Sequence, residues 1–471
     1  MMKKTKIVCT MGPGIDGDGI LEQLLNAGMN VGRCNFSHGD HEEQLCRITK
    51  LRAASQKVGK PVALLLDTKG PEMRLGKFKG GKTFLTKNST FIITADEVEG
   101  TNERASVNHK LLPQEVQTGN MILLSDGLIS LRVEAIKGND IITTVMNSGA
   151  ISSGKRVAVP GVSVNLPFLS EKDKADILFG IKNEMDFIAA SFVQRAEDVL
   201  AIRNLLIENN YEMGIIAKIE NAEGVKNMDE ILKVSDGIMV ARGDLGVEIP
   251  AEDVPLVQKT IIKKCNVAGK IAITATQMLE SMVENPRPTR AETSDVANAI
   301  MDGTDAIMLS GETASGKYPV EAVKMMAKIA EKTEKSLKYN QLFLQKGLVE
   351  HSNLTNAMGH ASVRLAQSLG AKAIVTASNS GSTGRLISKY RPSMPIILVT
   401  PSEKTLRKMQ LYWGVHPILR ESYNDSDTLI NNVIDKAMKY GDFISGDVLV
   451  VASGLNDTIG STNMLKVHVI K

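Results

Sequence analysis

The sequence predicts an α/β protein: a (β/α)₈ TIM barrel with an inserted small β-barrel lid domain and a C-terminal open α/β domain. Three observations carry that prediction. Eight short apolar, often β-branched runs lie between residues 6 and 311, most of them followed by a helical pattern. One interval between consecutive runs, from Thr68 to Asp186, is too long for a crossover helix and is patterned as β structure. After about residue 345 the alternation of strand and helix patterns restarts around new apolar segments.

The eight runs are KIVCT (6–10), NVGRCNF (30–36), VALLLDT (62–68), DFIAASF (186–192), GIIAKI (214–219), GIMVARG (237–243), IAITATQ (271–277) and AIMLSG (306–311). Parallel strands covered on both faces read as unbroken apolar runs, because neither face meets water. The helical patterns GILEQLLNAG, HEEQLCRITKLRAASQKVG and VPLVQKTIIKKCNVAG follow the first, second and sixth. Eight β-then-α units close into a barrel of about 250 residues.

The long interval holds TFIITADEV, MILLSDGLISLRVEAI, DIITTVMN and KRVAVPG, separated by GG, GN and SG turns. Short alternating segments between such turns indicate an all-β unit. Inserted after the third strand, it stands at the C-terminal face of the barrel, where a lid excludes water. The C-terminal part reads as helix LTNAMGHASVRLAQSLG, strand AIVTAS, loop NSGSTG, helix RLISKYR, strand PIILVT, helices EKTLRKMQLYW and TLINNVIDKAMKY, and strands DVLVVAS and LKVHVI. The predicted division is therefore barrel 1–69, lid 70–166, barrel 167–344 and regulatory domain 345–471. About three domains is also what 471 residues imply.

Composition narrows the function. With 56 basic and 53 acidic residues and a net charge of +3, the chain lacks the clustered basic charge that nucleic acid or a membrane surface requires. No apolar run reaches the ~18 residues of a membrane span. The N-terminus MMKKTKIVCTMGPG enters a glycine-rich turn rather than a signal-peptide core. Cys9, Cys34, Cys46 and Cys265 form no CxxC pair or metal spacing and read as small apolar residues of a reducing compartment, so the expected location is cytoplasmic.

Barrel enzymes place their chemistry at the C-terminal strand ends, and here those ends are polar. Glu220 and Asp244 close adjacent strands, whose backbones run roughly 5 Å apart. Two carboxylates so placed can share a cation such as Mg²⁺, whose remaining positions go to substrate oxygens and water; singly, each acid could equally be a cap or salt-bridge partner. Lys218, two residues before Glu220, falls on the same strand face and could stabilise a transferring phosphoryl group, or simply neutralise Glu220. Asn35, Ser37, Asp67 and Thr68 offer oxygens with one formal charge, suited to a monovalent ion or to a plain hydrogen-bond network. Gly12, Gly14 and Gly17 fit GxGxxG. However, the second strand ends in Asn-Phe-Ser-His without the ribose-binding acid, and Pro13 is awkward in a dinucleotide turn.

CTMGP, NVGRCNFSHG, LLLDTKGPEMR, KIENAEG, IMVARGDLGVEIP, TATQMLESM, NPRPTRAETSDVANAIMDGTDA and MLSGETASGKYPVEA resemble the motifs of the pyruvate kinase family, in family order. SDGLISL, VPGVSVNLPFLSEKD, SGSTGRLISKYRP and GSTNMLKV extend the resemblance into the other two domains. It implies a bacterial-type member without an extra C-terminal domain, usually homotetrameric. The implied activity transfers the phosphoryl group of phosphoenolpyruvate to ADP, giving pyruvate and ATP, with Mg²⁺ (or Mn²⁺) and K⁺.

By position, the resemblance gives Lys218 and Arg33 to the phosphoryl group, and Glu220 and Asp244 to Mg²⁺. The amides of Gly243 and Asp244 and the side chain of Thr276 go to the substrate carboxylate, with Thr276 also on the proton route to the enolpyruvate carbon. Asn35, Ser37, Asp67 and Thr68 go to K⁺, and Arg74, His38 and Lys155 to the nucleotide. Ser380, Gly381, Ser382 and Thr383 would hold the phosphate of an effector (sugar bisphosphate, sugar monophosphate or AMP), with SGLNDTIGSTN closing over it. Glu72 in the GPE segment accompanies K⁺ dependence in the family. Met11, Gly32 and Cys34 depart from the pattern and would loosen local packing; KRVAVPG for the usual KGVNLPG makes Lys155 the weakest nucleotide contact. A decayed, non-catalytic barrel would have lost one of Lys218, Glu220, Asp244 or Thr276, all present here. A barrel that enolises another acid would share Mg²⁺ and lysine, and an assay for pyruvate and ATP separates the two.

Overall fold

The computed structural model describes residues 2–162, 164–347, 354–420, 426–454 and 462–471. Eight parallel strands, Lys6–Thr10, Val31–Asn35, Ala63–Asp67, Phe187–Ala190, Gly214–Ile219, Gly237–Ala241, Ile271–Ala275 and Ala306–Leu309, pair in sequence. The eighth returns to the first, Lys6 opposite Ala306, and closes the barrel. All eight predicted strands are present. Most stop short of their apolar run because its polar end turns out of the sheet; Arg242 and Gly243, expected in the sixth strand, instead open the helix Arg242–Glu248.

Alternation along each strand sends Val8, Leu65, Ile216 and Ile273 into the barrel interior and Ile7, Leu64, Leu66 and Ile215 out against the helices. The departures in the first motifs compensate one another. A Cβ on Gly32 would lie 2.4 Å from Leu51 Cδ2 and 3.5 Å from Met11 Sδ, so Leu51 and Met11 occupy the volume that a larger residue would need. Packing is filled rather than loosened, correcting the expectation. Gly12 is likewise a close-approach residue: an added Cβ would meet the Ala314 carbonyl oxygen at 2.5 Å.

The inserted segment builds its own apolar core around Phe91, Ile93, Leu131 and Ile141. Its main sheet has seven strands, from Met73–Arg74 at one end to Arg104–Ser106 at the other. The ends meet through a bridge between Leu75 and Val107 and through Asn108 N–H donating to Arg74 O at 3.1 Å, which curls the sheet into a small barrel. Lys82–Leu85 and Gly149–Ser152 add a two-stranded ribbon that sequence reading missed, since the exposed KTFL does not alternate cleanly.

The C-terminal sheet has five strands in the order Val415–Leu419, Ile396–Thr400, Ala373–Ala377, Val448–Gly454, Thr462–Val469, the last antiparallel. Val415–Leu419 is absent from the predicted strands; its Pro417 is tolerated because this strand is at the sheet edge. The predicted helix RLISKYR starts earlier, at Ser382, and EKTLRKMQLYW stops at Lys408 before a tight turn, Met409–Leu411. This domain docks on the barrel through Arg391, which is buried, pairs with Asp305 at 2.7 Å, and lies 4.9 Å from the Trp413 ring centroid. Among the described residues, no helix is long and apolar enough to cross a membrane.

Candidate active site

The ends of the first five barrel strands converge on one buried charge chain. Arg33 Nε donates to Asp67 Oδ2 at 2.6 Å, and its Nη1 donates to Thr10 Oγ1 at 2.9 Å. Lys218 Nζ lies 3.0 Å from Asp67 Oδ1, 2.7 Å from Ser191 Oγ and 3.1 Å from Glu220 Oε1. Burial alone would raise the Asp67 carboxyl, but Arg33 and Lys218 outweigh it and hold Asp67 below the ordinary carboxylate range. Burial also opposes the Lys218 charge, yet Asp67 and Glu220 more than offset it and keep the ammonium firmly protonated. For Glu220 burial wins: its pKa is raised, Lys218 offsets only part of the rise, and the like charge of Asp244 adds to it.

Glu220 is under-satisfied. Its Oε2 accepts from Phe192 N–H at 2.6 Å, while Oε1 has no hydrogen-bond partner, the contact to Lys218 being an ion pair without hydrogen-bond alignment. Buried carboxylate oxygens are normally hydrogen-bonded, so one that is not marks a place where an ion, a water or a substrate atom can complete the shell. Asp244, in the first turn after the sixth strand, is close enough to raise the Glu220 pKa. These two carboxylates fit a divalent ion that takes its other ligands from substrate and water. Among the described residues there is no group of three or more His, Cys, Asp or Glu that would form an all-protein cage.

Beside them, Gly243 N–H donates to Thr276 Oγ1 at 2.8 Å, so the two groups already converge. Thr276 (φ 67°) and Gln277 (φ 53°) are left-handed, a costly conformation for non-glycine residues and one that clusters at functional sites. Arg242, a residue that sequence reading passed over, holds it in place: Nη2 donates to Thr276 O at 2.7 Å while Nη1 pairs with Asp295. Ser191 was missed as well, although a serine closing the apolar run DFIAAS carries the same strand-end signal as the others.

Comparison with known proteins gives the family. The family model described as "Pyruvate kinase, barrel domain" matches residues 2–323, and "Pyruvate kinase, alpha/beta domain" matches residues 356–468. The chain belongs to the pyruvate kinase family. It is 52% identical to a pyruvate kinase of Clostridium acetobutylicum over the full length of both chains. It is 53% identical to one of Geobacillus stearothermophilus, covering all of this chain and 81% of that one. A crystal structure of a pyruvate kinase from Cryptosporidium parvum superposes with a TM-score of 0.96 at 41% identity, covering 100% of this chain and 96% of the other. The chain is thus a phosphotransferase of glycolysis that moves the phosphoryl group of phosphoenolpyruvate onto ADP.

The remaining predicted positions of this pyruvate kinase family member are placed as follows. Asn35 and Asp67 are register partners on neighbouring strands, and Ser37 N–H donates to Asn35 Oδ1 at 3.1 Å. The Thr68 hydroxyl turns instead to the fourth strand, donating to Ala189 O, while its carbonyl accepts from Ser191 Oγ at 2.7 Å. Arg74 lies on the lid strand Met73–Arg74 and Lys155 immediately precedes the neighbouring strand Arg156–Ala158, Leu75 N–H donating to Lys155 O, and Arg74 is tied to Glu72 at 2.6 Å. Lys155 is exposed, as is His38 on the turn after the second barrel strand. In the C-terminal domain Ser380 Oγ donates to Ser382 Oγ at 3.2 Å, and Gly381 (φ 80°) caps the helix Ser382–Lys389. Thr383 differs: it is buried, and its hydroxyl bonds Thr462 at 2.7 Å. Most of SGLNDTIGSTN, residues 455–461, lies outside the described residues.

Arg156 is a further residue that sequence reading passed over. It stands in the segment that departs from the family pattern and reaches from the lid to Asp244 and Glu248 on the barrel. A cleft of about 410 Å³ opens beside it, between the lid connector and Asn221 and Glu223.

Proposed function

We propose that phosphoenolpyruvate binds with its phosphoryl group against Arg33 and Lys218 and its carboxylate on the amides of Gly243 and Asp244 and on Thr276. The observation that carries this reading is the buried Oε1 of Glu220, which has no hydrogen-bond partner although it lies 3.1 Å from Lys218 Nζ. Glu220 and Asp244 would hold Mg²⁺ or Mn²⁺, which when bound supplies positive charge to the phosphoryl oxygens and the enolate. A β-phosphate oxygen of ADP attacks phosphorus as the enol C–O–P bond to phosphorus breaks. Lys218 and Arg33 stabilise the charge on the moving group. The enolate then takes a proton at carbon along the route that passes Thr276. Arg74, Lys155 and His38 would meet the nucleotide, and Asn35, Ser37, Asp67 and Thr68 would hold K⁺, Thr68 through its carbonyl.

Mn²⁺ titration followed by electron paramagnetic resonance tests the metal reading. Glu220→Gln and Asp244→Asn should each weaken Mn²⁺ binding by at least about 10–100-fold, the cost of losing even an outer-shell partner of a metal. Wild-type affinity in either folded variant refutes its role. Production of pyruvate and ATP separates this reaction from a related enolising one.

A cytoplasmic homotetramer is the assembly and location we propose, with a phosphorylated effector at Ser380, Gly381 and Ser382 and the amide of Thr383. Support comes from the hydroxyls and left-handed glycine at the start of the helix Ser382–Lys389, where the dipole favours an anion. Ser380→Ala with Ser382→Ala should abolish effector activation while unactivated turnover stays within about twofold, since neither hydroxyl is near the catalytic strands. Unchanged activation by sugar phosphates and AMP would reduce the loop to a connector.

A further inference from the structure

Arg156 extends from the lid strand Arg156–Ala158 into the barrel mouth. Its Nη1 bonds Asp244 Oδ1, its Nη2 lies 3.4 Å from Glu248 Oε1, and its guanidinium carbon is 4.8 Å from the Phe192 ring centroid. The side chain is only 9% exposed, so a flexible, costly group is held in one arrangement, while Asp244 remains 36% exposed. Glu220, Asp244 and Glu248 gather acidic charge here, and Lys218 is already shared between Asp67 and Glu220. Some further cation is needed to hold the other two carboxylates together, and Arg156 supplies it.

We infer that Arg156 is an internal stand-in for the divalent cation, a lid-borne latch that must leave Asp244 before the metal binds. A carboxylate oxygen that accepts a guanidinium hydrogen bond has that lone pair engaged, so the metal and Arg156 compete for the Asp244 edge. Glu248 offers the displaced guanidinium a second carboxylate within reach, so the arginine is never left buried and unpaired. Because Arg156 belongs to the lid and Asp244 to the barrel helix Arg242–Glu248, the exchange couples metal binding to lid position. The lid loop also approaches that helix elsewhere: a Cβ on Gly127 would lie 3.9 Å from Val247 Cγ1. The inference rests on Asp244 being a metal ligand, as proposed above.

The test is Mn²⁺ binding to the substrate-free, full-length enzyme, with hydrogen exchange of the lid as a second readout. Arg156→Gln should bind Mn²⁺ about fivefold to tenfold more tightly than the parent, and its lid amides at 156–158 should exchange faster without metal. Arg156→Lys, which keeps the charge but not the two-pronged geometry, should fall between and serves if the glutamine variant does not fold. Equal or weaker Mn²⁺ binding in the folded variants overturns the latch. Asp244→Asn separates the failures: if it leaves Mn²⁺ affinity intact, the ligand assignment itself is wrong; if it abolishes binding while Arg156→Gln has no effect, only the latch is wrong.

Discussion

Lys218→Met is expected to fold normally and to lose turnover by on the order of 10²–10³. The side chains are similar in length, and the loss of the ammonium leaves neighbours that can adapt. Asp67 keeps Arg33 at 2.6 Å and still accepts from Ser191 Oγ at 3.2 Å. Glu220 loses its cation, but burial already raises its pKa, so it can take up a proton rather than remain an unpaired buried charge. The proposed chemistry has no such substitute, because no other lysine lies on the strand Gly214–Ile219. Steady-state production of pyruvate, with circular dichroism as the folding control, measures the effect. Near-normal turnover by a folded variant would remove Lys218 from the reaction.

Replacing K⁺ by Na⁺ should lower turnover about tenfold, less than the roughly 10²–10³ that removing a preorganised donor costs, because the positive charge is kept and only its fit is lost. The oxygens proposed for the ion come from two neighbouring strand ends whose spacing is set by the sheet, and Asp67 is already shared with Arg33 and Lys218. A smaller ion cannot draw those oxygens inward without disturbing the Asp67–Lys218 contact. Glu72, expected to accompany the K⁺ requirement, is engaged with Arg74 and so is not itself a free counter-charge. The assay is a titration of K⁺ against Na⁺ at constant ionic strength. Full activity in K⁺-free buffer would leave Asn35, Ser37, Asp67 and Thr68 as a hydrogen-bond network.

Much of the molecule was written in local pattern. The eight barrel strands were legible because each is buried on both faces, which forces an unbroken apolar run, and their polar ends marked Asp67, Lys218, Glu220 and Asp244 without any knowledge of contacts, whereas Arg33 and Thr276 took their roles from the family resemblance. Where local pattern conflicts with position in a sheet, it fails: Pro417 argues against a strand, and only an edge location makes Val415–Leu419 possible.

The sequence by itself determined the barrel, its interruption and the strand-end residues, since burial imposes periodicity and chain order places strand ends on one face. Tertiary structure alone decided that Ser191 joins Lys218, that Arg242 holds Thr276, that Thr383 turns inward to Thr462, and that Arg156 crosses from lid to Asp244. Each of these contacts joins separate elements, with Arg156 and Asp244 standing 88 residues apart. A side chain's partner at that separation depends on how the elements pack, and no local periodicity records it.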